Sequence, residues 1–103
     1  MIRSPEDCTT MTEVRAGVDE VDRELMRLLA RRFAYMDAAA RIKPTRDAVR
    51  DEARKAEVVA NARAAARAAA LPAEKIADLW ERLVETSIAY EFDRFDRVKL
   101  SNA

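Results

Sequence analysis

The sequence predicts an all-α protein, a three-helix chain with a long first helix, and three observations carry this. An apolar series, Val14, Val18, Val21, Leu25, Leu28, Tyr35, Ala39 and Ile42, keeps alternating spacings of four and three once position 32 is counted, the repeat of a helical packing seam. One Gly and three Pro in 103 residues leave few turns. No stretch shows the sustained apolar–polar alternation of a half-buried strand.

The elements follow in chain order. The first nine or so residues read as irregular, with Pro5 as a breaker. "TMTE" at 10–13 fits a capping box, with Thr10 as N-cap and Glu13 reaching back. The helical pattern then runs over about 11–43, and Pro44 stops it. "PTRDAVRD" at 44–51 is a polar connector. A second helix covers about 50–69; its alanines favour helix, and Val58, Val59, Ala62, Ala66 and Ala69 form a thin apolar face. "LPAEKI" opens a third helix over about 72–98, with Pro72 suited to its first turn. Its packing residues are Ile76, Leu79, Trp80, Leu83, Val84, Ile88, Phe92 and Phe95.

These elements make residues 1–103 one helical domain. The first helix would be roughly 50 Å long, whereas a compact domain of this size has a radius of gyration of about 13 Å. Two shorter helices cannot cover it. The economical solution is an intertwined homodimer in which the long helices of two chains pack together.

Composition narrows the function. Lys and Arg number 19, as do Asp and Glu, so the net charge is zero, against generic nucleic-acid binding. "MIRSPEDC" has no apolar run of a signal peptide, and no apolar stretch reaches the ~20 residues needed to span a bilayer. The expectation is a cytoplasmic protein. With no His and a single Cys, Cys8, His/Cys zinc sites, an internal disulfide and Ser-His-Asp or Cys-His nucleophiles are excluded. Cys8 reads as a bystander. An enzyme with this inventory works by electrostatics and acid–base chemistry.

The seam carries a charge where an apolar residue is due, Arg32. Lys43 follows eleven residues later, about three turns on and on the same face. On the third helix the apolar series is interrupted by Ser87 and Glu91, one turn apart. An inward Arg is also explained by pairing with a carboxylate, Glu91 among the candidates, and a Lys at a helix end by solvent and the helix dipole. Buried charges are costly unless paired, and several together on two helices, with cations in excess, point to a polyanion pocket. Arg15 stands about 25 Å along the helix from Arg32, too far to share a small ligand within one chain. An antiparallel partner helix would bring the other chain's Arg15 there.

At these residues the sequence resembles the all-helical, type II chorismate mutases. The resemblance lies in "VRAGVDEVDRELMRLLARRFAYMDAAARIK", "VRDEARKAEVV" and "LPAEKIADLWERLVETSIAYE". It implies an intertwined homodimer of three-helix chains with two active sites and no cofactor or metal. Arg32 would bind one substrate carboxylate, and Arg15 from the partner chain the other. Lys43 would contact the ether oxygen of the breaking bond and a carboxylate. Asp51 and Arg54 would lie around the ring hydroxyl and a carboxylate, and Ser87 and Glu91 match the pair on the last helix. One departure stands out: Lys55 follows Arg54 where the family usually has the Glu that holds the ring hydroxyl. "PEDC" is also similar to a neighbouring branch, the isochorismate-pyruvate lyases.

The implied reaction, chorismate to prephenate, is a unimolecular rearrangement of a dicarboxylate. It asks for orientation of the folded conformer and for donors at an ether oxygen gaining negative charge. Glu91 can donate there only when it carries a proton. The alternatives are an isochorismate-pyruvate lyase, an amino-chorismate mutase, or a non-catalytic helical dimer acting as an interaction module.

Overall fold

The computed structural model describes residues 2–101. Among them are three α-helices, α1 (Met11–Ile42), α2 (Glu52–Ala68) and α3 (Ala73–Ser101), with single 3₁₀ turns at Pro5–Asp7 and Arg46–Ala48 and no strand. The helix ends lie within three residues of the expected ones. α2 starts later than residue 50 because Asp51 is its N-cap, extended in backbone and accepting the Arg54 N–H. Pro72 sits just ahead of α3, where its carbonyl accepts the Ile76 N–H at 3.0 Å. No helix among the described residues is long and apolar enough to cross a membrane.

The chain groups into two compact units, Met1–Ala34 and Tyr35–Ala103. In the first, the capping box closes as the sequence predicts. Glu13 N–H donates to Thr10 Oγ1 at 3.2 Å, and Thr10 N–H donates to Glu13 Oε1 at 3.1 Å. Thr9 adds its own N–H and hydroxyl to the same oxygen, at 3.0 and 3.1 Å. The Thr9 N–H is the largest cause holding the Glu13 carboxyl below its ordinary range. The segment before α1 folds back so that Ile2, Pro5 and Cys8 line an apolar groove with Val14, Val18 and Val21. These valines stay exposed, as do Leu25 and Leu28.

The second unit holds the end of α1, the connector, α2 and α3. Its core is Ala40, Val49, Val84, Ile88 and Phe95, with Val58 and Phe92 packed against it. Ala40, with no exposed surface, lets the end of α1 approach closely. Val49 is an apolar plug in an otherwise polar connector. α2 buries Val59, Ala62 and Ala66 and packs against α3. Three expectations need correction. Ala69 is exposed because it is the C-cap of α2, Leu79 points outward, and Trp80 is only half-buried. Ala77, not anticipated, is buried in their place.

The α2–α3 turn is tight. Ala70 adopts a φ of 58°. Leu71 N–H returns to Ala66 O at 2.8 Å and Ala70 N–H to Arg67 O at 3.1 Å. This is a Schellman ending with alanine where glycine is the usual choice.

Candidate active site

Lys43 is the first residue past α1, yet its N–H still reaches Ala39 O at 2.9 Å, so it leaves in the helix's direction before Pro44 turns the chain. Its ammonium donates to Val49 O at 3.3 Å and lies 2.8 Å from Glu91 Oε2. Glu91 projects from α3 into the second unit and is 4% exposed. Its Oε2 is buried and, despite the nearby ammonium, accepts no aligned hydrogen bond. Ser87, one turn earlier, is 3% exposed and donates its hydroxyl to Leu83 O at 2.7 Å. The two polar residues share a helix face whose neighbours Val84, Ile88 and Phe95 are core.

Burying an ammonium–carboxylate pair costs desolvation that its mutual attraction offsets only with good geometry. A solvent-facing position would serve stability as well. An apolar face that carries Glu91 beside Lys43, with a serine one turn away, is chemically equipped. It offers a cation for an anionic group, a carboxyl group that donates or accepts according to its proton, and a small hydroxyl.

The other expected residues are placed as follows. Asp51 Oδ1 accepts the Arg54 N–H at 3.0 Å, so its carboxylate is engaged in starting α2. The Arg54 guanidinium is exposed and pairs with Glu57 along α2. Arg15 and Arg32 lie on α1 within the first unit, Arg15 exposed and Arg32 half-buried.

Sequence reasoning missed what holds the connector. Arg46 forks Asp96 at 3.0 and 3.4 Å and stacks 4.5 Å over the Phe92 ring. The Asp96 hydrogen bond is the main cause raising its pKa. Arg50 forks Glu85 at 2.9 and 3.1 Å and meets Glu52 at 2.9 Å. Lys55 reaches Glu85 at 2.8 Å and Glu81 at 3.0 Å. Arg50 and then Lys55, by hydrogen bonds, draw the Glu85 carboxyl down to about 2, and Glu85 raises Lys55 in return. Lys55 is thus turned onto α3. Tyr90 also donates to Asp37 Oδ1 at 2.8 Å, and the Arg94 Nε lies 2.9 Å from the same oxygen. A signal existed: Glu81 and Glu85 are one turn apart on α3, opposite a connector and first turn rich in Arg and Lys.

Known proteins share much of this sequence. The family described as chorismate mutase type II matches residues 14–92, well over half of the chain. A 48-residue stretch is 35% identical to an isochorismate pyruvate lyase of Pseudomonas aeruginosa, covering 47% of this chain and 48% of that protein. The chain therefore spans about half the length of this curated relative. With the match running from the seam's first valine, Val14, into α3, the chain belongs to the type II chorismate mutase family.

Proposed function

We propose that the chain is a chorismate mutase, acting as a homodimer that rearranges chorismate to prephenate. The observation that carries this reading is the buried Glu91 with the Lys43 ammonium 2.8 Å away, on an apolar face and with Ser87 one turn distant. In the proposed mechanism Arg32 and Arg15 of the partner subunit bind the two carboxylates and hold the folded conformer. Lys43 donates to the ether oxygen as its bond to the ring lengthens, and Glu91 donates there in the form that carries a proton. Asp51 and Arg54 lie toward the ring hydroxyl and a carboxylate, Asp51 keeping its cap on α2. The exposed row Val14, Val18, Val21, Leu25 and Leu28 supports the dimer, because contiguous apolar surface of this kind marks an interaction face.

A second reading is favoured by the partial match to a lyase and by "PEDC": elimination of pyruvate from isochorismate to give salicylate. One assay separates them. Purified protein is incubated with chorismate and with isochorismate, following substrate absorbance and salicylate fluorescence. Loss of chorismate without salicylate is the expected result, and salicylate from isochorismate selects the second reading. No reaction with either leaves the non-catalytic dimer. Arg32→Ala should abolish whichever activity appears with helical content intact. Glu91→Gln, whose amide is a donor in its own right, should keep activity, and Glu91→Ala should lose on the order of 100-fold or more in kcat. Wild-type turnover in Glu91→Ala would remove Glu91 from the donor role.

A further inference from the structure

The Lys43 ammonium is located by two partners, Glu91 and the Val49 carbonyl. The second belongs to the connector backbone, so the place of the ammonium depends on where that backbone runs. One residue later, Arg50 forks Glu85. Lys55, in the first turn of α2, meets the same carboxylate from the other side at 2.8 Å. Asp51, between them, caps α2. Glu85 thus draws the connector's last residues and the start of α2 onto α3, less than two turns before Glu91.

We propose that Lys55 is a positioning residue: through Glu85, which it shares with Arg50, it clamps the end of the connector and the first turn of α2 to α3, and so sets the Val49 carbonyl and the Lys43 ammonium beside Glu91. Its catalytic consequence rests on the reading of the site given above; the clamp itself does not. Lys55 neither touches the Lys43–Glu91 pair nor needs to. Lys55→Glu, the residue usual in the family, sets a third carboxylate against Glu81 and Glu85 and opens the clamp through like-charge repulsion. Lys55→Met removes one arm without repulsion, and Lys55→Arg keeps both contacts.

Hydrogen exchange and steady-state kinetics on the full chain test this together. The reporters are the amides of Ala48, Val49 and Arg54, which bond to Thr45 O, Arg46 O and Asp51 Oδ1. In Lys55→Met and more so in Lys55→Glu, these amides should exchange about tenfold faster or more, through local opening. In the same variants kcat should fall on the order of 10- to 100-fold, as for a displaced catalytic group, with little change in KM. Lys55→Arg should return both readouts to wild type. Lys55→Met serves if Lys55→Glu does not fold. Unchanged exchange at the three amides in Lys55→Met overturns the clamp. A raised KM at constant kcat also overturns it, by making Lys55 a substrate contact. Faster exchange in a protein whose wild type turns over neither chorismate nor isochorismate upholds the clamp and defeats the functional reading instead.

Discussion

Phe95 in the second unit is 6% exposed and Leu28 in the first is 58% exposed, yet both stand where a periodic apolar pattern calls for packing. The difference lies in what each unit supplies. The second brings α2, α3, the connector and the end of α1 to one core. Among the described residues the first offers only a short segment, Ile2 to Cys8, against one end of its seam. A repeat in sequence therefore specifies a face that must be covered and leaves open whether the same chain covers it. The homodimer in the proposed function would supply that cover.

Two truncations break or sharpen the contrast. Phe95→Ala should cost about 3–5 kcal/mol as a core deletion. Leu28→Ala on a solvated surface would cost within about 0.5 kcal/mol. Under a second copy it should cost about 2–5 kcal/mol instead, with a melting temperature that rises with protein concentration. We expect the larger loss, measured by denaturant unfolding at two concentrations alongside sedimentation. A near-neutral Leu28→Ala in a concentration-independent monomer would sink the seam as an interface.

The elements were legible because each carries its own local signal. The capping box at Thr10 and Glu13, the stop at Pro44 and the apolar spacing of α3 act within a few residues, and the structure keeps all three. The site was legible only in part. Ser87 and Glu91 betray themselves by interrupting an apolar series, and their burial agrees. Lys43 announced itself by register with Arg32, but its partners Glu91 and Val49 depend on how the connector lies along α3. The pairs Arg46–Asp96, Arg50–Glu85 and Lys55–Glu85 span 30 to 50 positions in sequence. Nothing local distinguishes such residues from ordinary solvated charges. Leu79 and Trp80 misled for the opposite reason, since apolar identity does not say which of two adjacent positions faces inward.

Acid separates the long-range anchor from the local one. The Glu85 carboxyl lies at about 2 in the folded chain against 4.5 for the ordinary group. Its contribution is complete above pH 4.5 and is lost as pH falls from there toward 2. Glu13 is lowered as well, by Thr9 and Thr10 within its own helix start, and its contribution fades in the same direction. Unfolding free energy measured between pH 6 and 2.5 should therefore slope downward on acidification. Glu85→Gln should flatten that slope more than Glu13→Gln does, because two cations from other elements hold Glu85. Equal slopes in the wild type and Glu85→Gln would show that the Arg50–Lys55 pairing is fully screened by solvent.

The smallest expected effect concerns the turn between α2 and α3. Ala70 carries a Cβ in the left-handed region, at a φ of 58°, a conformation that costs an L-residue roughly 1–2 kcal/mol. The turn persists because Leu71 and Ala70 return hydrogen bonds to Ala66 and Arg67, satisfying carbonyls left over at the end of α2. Ala70→Gly relieves the strain but gives the unfolded chain more freedom, a cost of about 0.4–1 kcal/mol. The balance should be a gain of roughly 0.5–1 kcal/mol, a few degrees in melting temperature for a chain of this size. Ala70→Val should lose stability, since a branched Cβ fits this region worst. Because the change lies within the α2–α3 hairpin, it should raise the melting temperature equally at every protein concentration. A gain that grew with concentration would mean that Ala70→Gly acts on the seam's association and not on this turn.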